Sequence, residues 1–187
     1  MSRREITIID YGIGNLLSVR RGFEHNNASV LVTGDPEQIL NSERVVLPGV
    51  GAFANGMNEL IKRDFVSMLS EVASKGTPIL GICLGMQFLL DKSEEFGNTD
   101  GLGLIPGTVQ AIPSMAQDGQ ELKIPHIGWS NIIKPLQQST SWSGGILEDI
   151  NESDALYFVH SFMAQPDNPN HLLAGCLYGG NFIPAVI

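Results

Sequence analysis

The chain has 187 residues, with 11 Lys and Arg against 20 Asp and Glu, and therefore a formal charge of −9. A hydrophobic fraction of 43% and a charged fraction of 17% exclude a largely disordered chain. The acidic excess argues against nucleic-acid binding, which depends on Lys and Arg to neutralise phosphates. No apolar run is long enough for a membrane span or a signal peptide, so we expect a cytoplasmic protein of one domain.

The first half of the chain alternates predicted strands with predicted helices. Short apolar runs bounded by Gly, Pro or Asp predict strands at 5–9, 29–33, 44–47 and 79–82. Helical spacing of apolar residues predicts helices at 15–25, 36–40 (capped by Asp35), about 55–73 and 84–92. The third helix has a predicted buried stripe of Met57, Leu60, Ile61, Phe65, Met68 and Leu69. This alternation predicts an α/β fold of the flavodoxin-like kind, with a mostly parallel sheet covered by helices on both faces.

From Gly101 onward the pattern changes to short strand-like pieces separated by Gly, Pro, Asn and Ser. These pieces lie at 109–112, 126–129, 156–160 and 172–178. They predict an added antiparallel portion and return strands, and no helix is predicted after Phe96.

The most informative segment surrounds Cys83, at the turn between a predicted strand and a predicted helix. Gly81 and Gly85 flank it in the Gly-x-Cys-x-Gly form of a nucleophile elbow. Such a turn projects the sulfur from the carboxyl edge of the sheet, where a helix N-terminus stabilises a thiolate. The backbone N–H of Leu84 can then face a developing oxyanion. The alternative is a buried structural cysteine, which is our interpretation of Cys176, inside an apolar run.

A second glycine turn, at Gly49 and Gly51, follows the predicted strand at 44–47. Parallel topology predicts that this turn lies beside Cys83, where a glycine N–H is a candidate second oxyanion donor. The alternative is a tight turn with nothing bound. Gln87 lies one helical turn beyond Cys83, so it is either a substrate contact or a polar break in an apolar stripe.

Five segments together resemble those of a known family. They are DYGIGNLLSV at 10–19, LPGVGAF at 47–53, GICLGMQFL at 81–89, PHIGW at 125–129 and YFVHSF at 157–162. In this order they are similar to the glutaminase subunits of imidazole glycerol phosphate synthases, which are class I, triad-type glutamine amidotransferases. The resemblance extends over nearly the whole chain and implies the α/β fold of that family.

The resemblance also implies a chemistry. Cys83 would attack the side-chain amide of glutamine, release ammonia and form a glutamyl thioester that water hydrolyses. The backbone N–H groups of Leu84 and Gly51 would form the oxyanion hole. The residues implied to hold glutamine are Gly49, Gln87, His160, Ser161 and Phe162. Neither a cofactor nor a metal is implied.

A partner is implied as well: a (β/α)8-barrel cyclase that receives the ammonia in a heterodimer. The implied interface residues are Asp10, Tyr11, Asn15, His126 and Trp129. The family pattern usually continues with Asn directly after PHIGW, whereas Ser130 precedes Asn131 here.

A cysteine nucleophile needs a base, usually a histidine oriented by a carboxylate. The resemblance implies a His-Pro-Glu signature near the C-terminus, and residues 1–187 do not contain one. We therefore expect this sequence to lack one or more C-terminal strands of the domain, together with the catalytic His and Glu; a true pseudoenzyme is the alternative. Among the four histidines, His160 is the nearest candidate for the base.

Three other functions remain open. Gly12 and Gly14, with Asp35 about 20 residues later, match part of the dinucleotide-binding pattern. Leu17, however, occupies the position of the third glycine in that pattern. A non-catalytic regulatory or binding module on the same fold is the second. The third is a paralogous amidotransferase that supplies ammonia for sugar amidination in surface polysaccharide synthesis.

Overall fold

The computed structural model describes residues 5–135 and 141–187. The described residues fall into two compact units that divide between Leu104 and Ile105. Within these two segments, no helix has the length and hydrophobicity that a membrane crossing demands.

The first unit is built on a parallel sheet. Its strands are β1 (Glu5–Ile9), β2 (Ser29–Thr33), β3 (Val45–Gly49) and β4 (Ile79–Cys83), in the order β2-β1-β3-β4. All three pairings are parallel, as the alternation of strands and helices predicts. β3 is buried along its whole length, which explains its almost continuous apolar sequence.

Helices connect these strands. They are α1 (Leu16–His25), α2 (Pro36–Leu40), α3 (Phe53–Lys62), α4 (Phe65–Ser74) and α5 (Leu84–Gln87). The predicted cap at Asp35 is confirmed, since its carboxylate accepts a hydrogen bond from the N–H of Glu37 at 3.0 Å.

The single helix predicted at 55–73 is wrong, because α3 and α4 share this region. Arg63 ends α3, and Asp64 adopts a left-handed backbone with a φ of 58°, through which an α-helix does not continue. One helical phase therefore does not run through both helices. Ile61, predicted in the buried stripe, is exposed, whereas Leu60 is fully buried.

The helix predicted at 84–92 is also wrong beyond its first turn. α5 ends at Gln87, and Leu90–Ser93 forms β5, which pairs antiparallel with β6 (Thr99–Asp100). The backbone N–H of Leu102 donates to the carbonyl of Phe88 at 2.8 Å. A later segment thus supplies hydrogen bonds that compete with the helix.

The second unit consists of antiparallel strand pairs. Its strands are β7 (Ile105–Ala111), β8 (His126–Asn131), β9 (Ala155–His160), β10 (Phe162–Pro166), β11 (Ala174–Tyr178) and β12 (Asn181–Val186). β7 pairs with β10, β8 with β9 and β11 with β12, which confirms the predicted antiparallel portion. In the described part of the chain after Phe96, the helical structure is a single 3₁₀ turn at Pro169–His171.

The second unit has its own hydrophobic core. The buried members are Ile112, Ile132, Trp142, Leu147, Phe158, Ala174, Cys176 and Ile183. Burial raises the pKa of the Cys176 thiol to about 11, as expected for a sulfur taken out of water. The assignment of Cys176 to the core is therefore confirmed.

Candidate active site

Cys83 is the last residue of β4 and directly precedes α5. Its backbone has a φ of 56° and a ψ of −117°, a conformation that residues with a Cβ rarely adopt. The side chain is exposed. A strained backbone that holds a thiol in solvent is the geometry of a nucleophile elbow, and the exposure argues against a buried structural cysteine.

Gly81 and Gly85 let α5 pack directly on the strands. A Cβ on Gly85 would collide with the carbonyl oxygen of Leu47 in β3, and one on Gly81 would lie 2.5 Å from the Cα of Met86. Backbone therefore meets backbone on both sides of Cys83. The two glycines provide this close approach, while the strained turn itself falls on Cys83.

The register of β3 and β4 brings the second glycine turn to Cys83. Gly49, the last residue of β3, pairs directly with Cys83. A Cβ on Gly49 would lie 2.7 Å from the backbone nitrogen of Gly85 and 2.9 Å from the Cβ of Leu84, so only glycine fits there. Gly51 has a φ of 90° and open space where a side chain would be. The structure thus gathers Gly49 and Leu84 around Cys83, with Gly51 on the adjoining loop.

The turn after β1 contacts the end of β3, next to Gly49. The Tyr11 side chain is fully buried, and its hydroxyl donates to the carbonyl of Pro48 at 2.8 Å; burial raises the pKa of the phenol. The resemblance implies Tyr11 at a partner interface, but this burial leaves its side chain no surface to offer a partner. Asp10 accepts from the N–H of Gly12 at 3.0 Å, and Asn15 caps α1.

Glu95 contacts the start of α3, and no sequence pattern predicts this contact. Its carboxylate accepts a hydrogen bond from the backbone N–H of Phe53 at 2.6 Å, across 42 residues of chain. Phe53 begins α3, which follows the Gly51 turn after Ala52. In addition, Gly56 of α3 lies against the ring of Phe88, where a Cβ would not fit. Two contacts therefore anchor α3, and both depend on chain segments distant in sequence.

In the second unit, β8 and β9 bring His126 and His160 together. The two residues are cross-strand partners, and Nδ1 of His126 lies 3.3 Å from Nε2 of His160. Nε2 of His126 lies 3.0 Å from the hydroxyl of Ser130, and Nδ1 of His160 lies 2.9 Å from the carbonyl oxygen of Phe162. Ser161 is the single residue between β9 and β10.

These contacts bear on His160 as a candidate base. Both of its ring nitrogens have hydrogen-bond partners, and burial lowers its pKa. A general base needs a free lone pair within reach of the proton that it removes. The structure therefore disfavours His160 as the base.

Trp129, on the same strand as His126, has a different environment. Its ring is 73% exposed and contacts the ring of Tyr157 edge to face, with a centroid distance of 5.5 Å.

Gln87, in the first unit, is the last residue of α5, one turn beyond Cys83.

A sequence model of the family "Glutamine amidotransferase class-I" matches residues 7–178. Among curated relatives, Imidazole glycerol phosphate synthase subunit HisH 1 of Legionella pneumophila (strain Lens) is 50% identical over 182 residues, which are 97% of this chain and 85% of the relative. The subunit HisH of Geobacter sulfurreducens is 43% identical over 183 residues, with the same two shares.

Solved structures show the same fold. A crystal structure of a glutamine amidotransferase matches with a TM-score of 0.67 at 11% identity, covering 95% of this chain and 82% of the other. The structure of PurLQS from Thermotoga maritima matches with a TM-score of 0.61 at 16% identity, covering 94% and 76%. The family match and the relatives at up to 50% identity show that the chain belongs to the class I glutamine amidotransferase family, among the HisH subunits of imidazole glycerol phosphate synthase.

Proposed function

We propose that this protein is a cytoplasmic glutaminase subunit that supplies ammonia to an imidazole glycerol phosphate synthase in histidine biosynthesis. The observation that carries the proposal is the exposed thiol of Cys83, on a strained turn paired with Gly49. The names of the relatives supply the pathway, and they favour it over sugar amidination.

The proposed reaction begins when the Cys83 sulfur attacks the side-chain amide carbon of glutamine. A C–S bond forms, and the carbonyl electron pair moves onto the oxygen. The C–N bond then breaks, and the nitrogen takes up a proton and leaves as ammonia. Water hydrolyses the resulting glutamyl thioester to glutamate and restores the thiol.

Backbone groups around Cys83 are suited to stabilise the oxyanion. Leu84 is the first residue of α5, so its N–H is one of the donors that a helix start leaves without an intrahelical acceptor. Gly51 has open space beside its backbone. We assign both N–H groups to the oxyanion hole. In the first unit, Gly49 and Gln87 are proposed glutamine contacts. In the second unit, the proposed glutamine contact is the His160-Ser161-Phe162 segment that the resemblance implies.

An apolar face on β8 and β9 supports the proposed partner. Ile127 pairs with Val159 and Trp129 pairs with Tyr157 across the two strands, and all four side chains are more than half exposed. A contiguous exposed apolar patch of this kind marks an interaction site. We propose that a (β/α)8-barrel cyclase docks there and forms a heterodimer that passes ammonia between the subunits.

The experiment is a measurement of ammonia released from glutamine by the protein mixed with its cyclase partner. We expect at least one equivalent of ammonia per chain, and none from Cys83→Ala. Cys176→Ala is the matched control and should release as much ammonia as the unmodified protein. Equal release by Cys83→Ala would show that the nucleophile lies elsewhere.

A further inference from the structure

His126 and His160 belong to a continuous line of four polar groups in the second unit. The line runs from the hydroxyl of Ser130 to His126, from His126 to His160, and from His160 to the backbone carbonyl of Phe162. The three separations are 3.0, 3.3 and 2.9 Å. Each imidazole thus uses both of its nitrogens within the line.

If both imidazole rings are neutral, the backbone carbonyl of Phe162 determines the direction of all three hydrogen bonds. A carbonyl oxygen only accepts, so Nδ1 of His160 must carry its proton, and Nε2 of a neutral His160 must accept. Nδ1 of His126 must then donate to that Nε2. The remaining nitrogen, Nε2 of a neutral His126, accepts from the hydroxyl of Ser130. One assignment of protons satisfies all three contacts.

The surroundings favour neutral rings. The His126 ring is buried and stacks on the rings of Phe158 and Tyr178, with centroid distances of 4.9 and 4.2 Å. Two of the rings in contact with it can ionise, those of His160 and Tyr178. The Tyr178 hydroxyl donates to the carbonyl of Lys123. Burial lowers the pKa of both histidines, and the neighbouring His160 lowers that of His126 further.

We propose that Ser130, His126 and His160 form a hydrogen-bond relay of fixed direction that positions the His160-Ser161-Phe162 segment to bind glutamine. Both histidines are neutral in this relay and carry the proton on Nδ1. The relay acts at the bend around Ser161, because the bond from His160 to Phe162 closes the connection between β9 and β10. His126 and Ser130 are positioning residues. Their effect on glutamine rests on the function proposed above.

The first arm of the test measures the proton positions directly. Nitrogen-15 NMR of the histidine-labelled protein distinguishes the two neutral tautomers and the charged form. At neutral pH we expect His126 and His160 to carry the proton on Nδ1, the less common tautomer of free histidine. A proton on Nε2 of His160, or a charged ring, would overturn the relay.

The second arm compares two substitutions at the same buried position. His126→Asn places an amide N–H near the former Nδ1, whereas His126→Gln places it near the former Nε2. Both remove the stacked ring, so they are matched for lost packing. With the cyclase partner present, we expect His126→Gln to raise the Kd for glutamine, measured by calorimetry, about tenfold relative to His126→Asn, the usual effect of one buried hydrogen bond. Equal Kd values would overturn the positioning role.

A milder pair of variants covers the case in which both His126 variants fold poorly. Ser130→Thr keeps the hydroxyl and should keep the NMR signature and the affinity for glutamine. Ser130→Ala removes the donor to Nε2 of His126, so we expect the nitrogen-15 resonance of that Nε2 to shift, while the proton stays on Nδ1 because His160 still accepts it. An unchanged Nε2 resonance of His126 in Ser130→Ala would contradict the relay. Because the NMR arm requires no activity, failure of the relay is distinguishable from failure of the glutaminase assignment.

Discussion

At the residue scale, the two cysteines have opposite environments. Cys83 is exposed at the end of β4, whereas Cys176 is fully buried and burial raises the pKa of its thiol to about 11. Only a thiolate reacts quickly with electrophiles. We expect brief alkylation with a glutamine-mimicking electrophile, followed by peptide mapping, to place the label on Cys83. Labelling of Cys176 at an equal rate would contradict the assignment of Cys83 as the nucleophile.

Gly51 allows a test of the oxyanion loop with a matched control. Gly51 and Gly76 both have left-handed backbones, with φ of 90° and 74°, and both have open space where a Cβ would lie. Alanine at either position should therefore cost about 1 kcal/mol of unfolding free energy through backbone strain. We expect only Gly51→Ala to slow the release of ammonia from glutamine, by about tenfold or more. Similar rates for both variants would show that the Gly51 backbone does not contribute to catalysis.

At the element scale, α3 depends on a side chain from another segment. Its first N–H groups have no intrahelical acceptors, and its N-cap residue, Ala52, has no side chain that could accept. Glu95 satisfies the N–H of Phe53 instead, and a carboxylate at a helix N-terminus also interacts favourably with the helix dipole. Glu95 therefore stabilises the start of α3, directly after the Gly51 loop.

Replacement of this carboxylate should destabilise the first unit. We expect Glu95→Ala to lower the free energy of unfolding by about 1–2 kcal/mol, the usual cost of a lost helix cap. Glu94→Ala, at the exposed neighbouring position, is the control and should change it by less than about 0.5 kcal/mol. Urea denaturation of the two variants measures the difference. An equal loss in both would indicate that Glu95 does not cap α3.

At the scale of the whole molecule, the buried histidines make stability depend on pH. The pKa values of His126 and His160 are lowered from 6.5, mainly by burial. As the pH falls, these histidines take up protons in the unfolded chain at a higher pH than in the folded protein, so acid favours unfolding. We expect their contribution to be complete above about pH 7 and to be lost progressively as the pH falls below about 6.5.

Denaturation at several pH values between about 5 and 7 measures this slope, above the range in which carboxylates titrate. His126→Phe removes one titrating ring but keeps an aromatic group, and it should reduce the slope. A slope that is the same in the protein and in His126→Phe would rule out this source of pH dependence.

The exposed face of β8 and β9 predicts how the proposed cyclase binds. Trp129 is 73% exposed, and aromatic residues at the centre of an interface often supply much of the binding energy. We expect Trp129→Ala to weaken cyclase binding at least tenfold in calorimetry. Leu177→Ala, which also truncates an exposed apolar side chain but lies on β11, should have little effect. Equal loss of affinity in both variants would contradict docking on β8 and β9.

Features that rest on local patterns could be predicted from the sequence. Apolar runs and their bounding residues located β1 to β4, and the cap at Asp35 was readable because Asp accepts from an N–H two residues away. The Gly-x-Cys-x-Gly pattern located the strained turn at Cys83, since strand, turn and helix are adjacent in the chain. The five motifs together identified the family, because their order is specific even where each motif is not.

Features that depend on contacts between distant segments could not be predicted from local patterns. Leu102 bonds to the carbonyl of Phe88 and helps to replace the predicted helix after Gln87 with a strand. Tyr11 is buried, and the carbonyl of Pro48, 37 residues away, satisfies its hydroxyl there. Glu95 caps α3, and His126 meets His160, through pairings that no local periodicity encodes. Local spacing predicts most of the elements in the first half of the chain, whereas hydrogen-bond partners far along the chain decide where those elements end and which side chains meet.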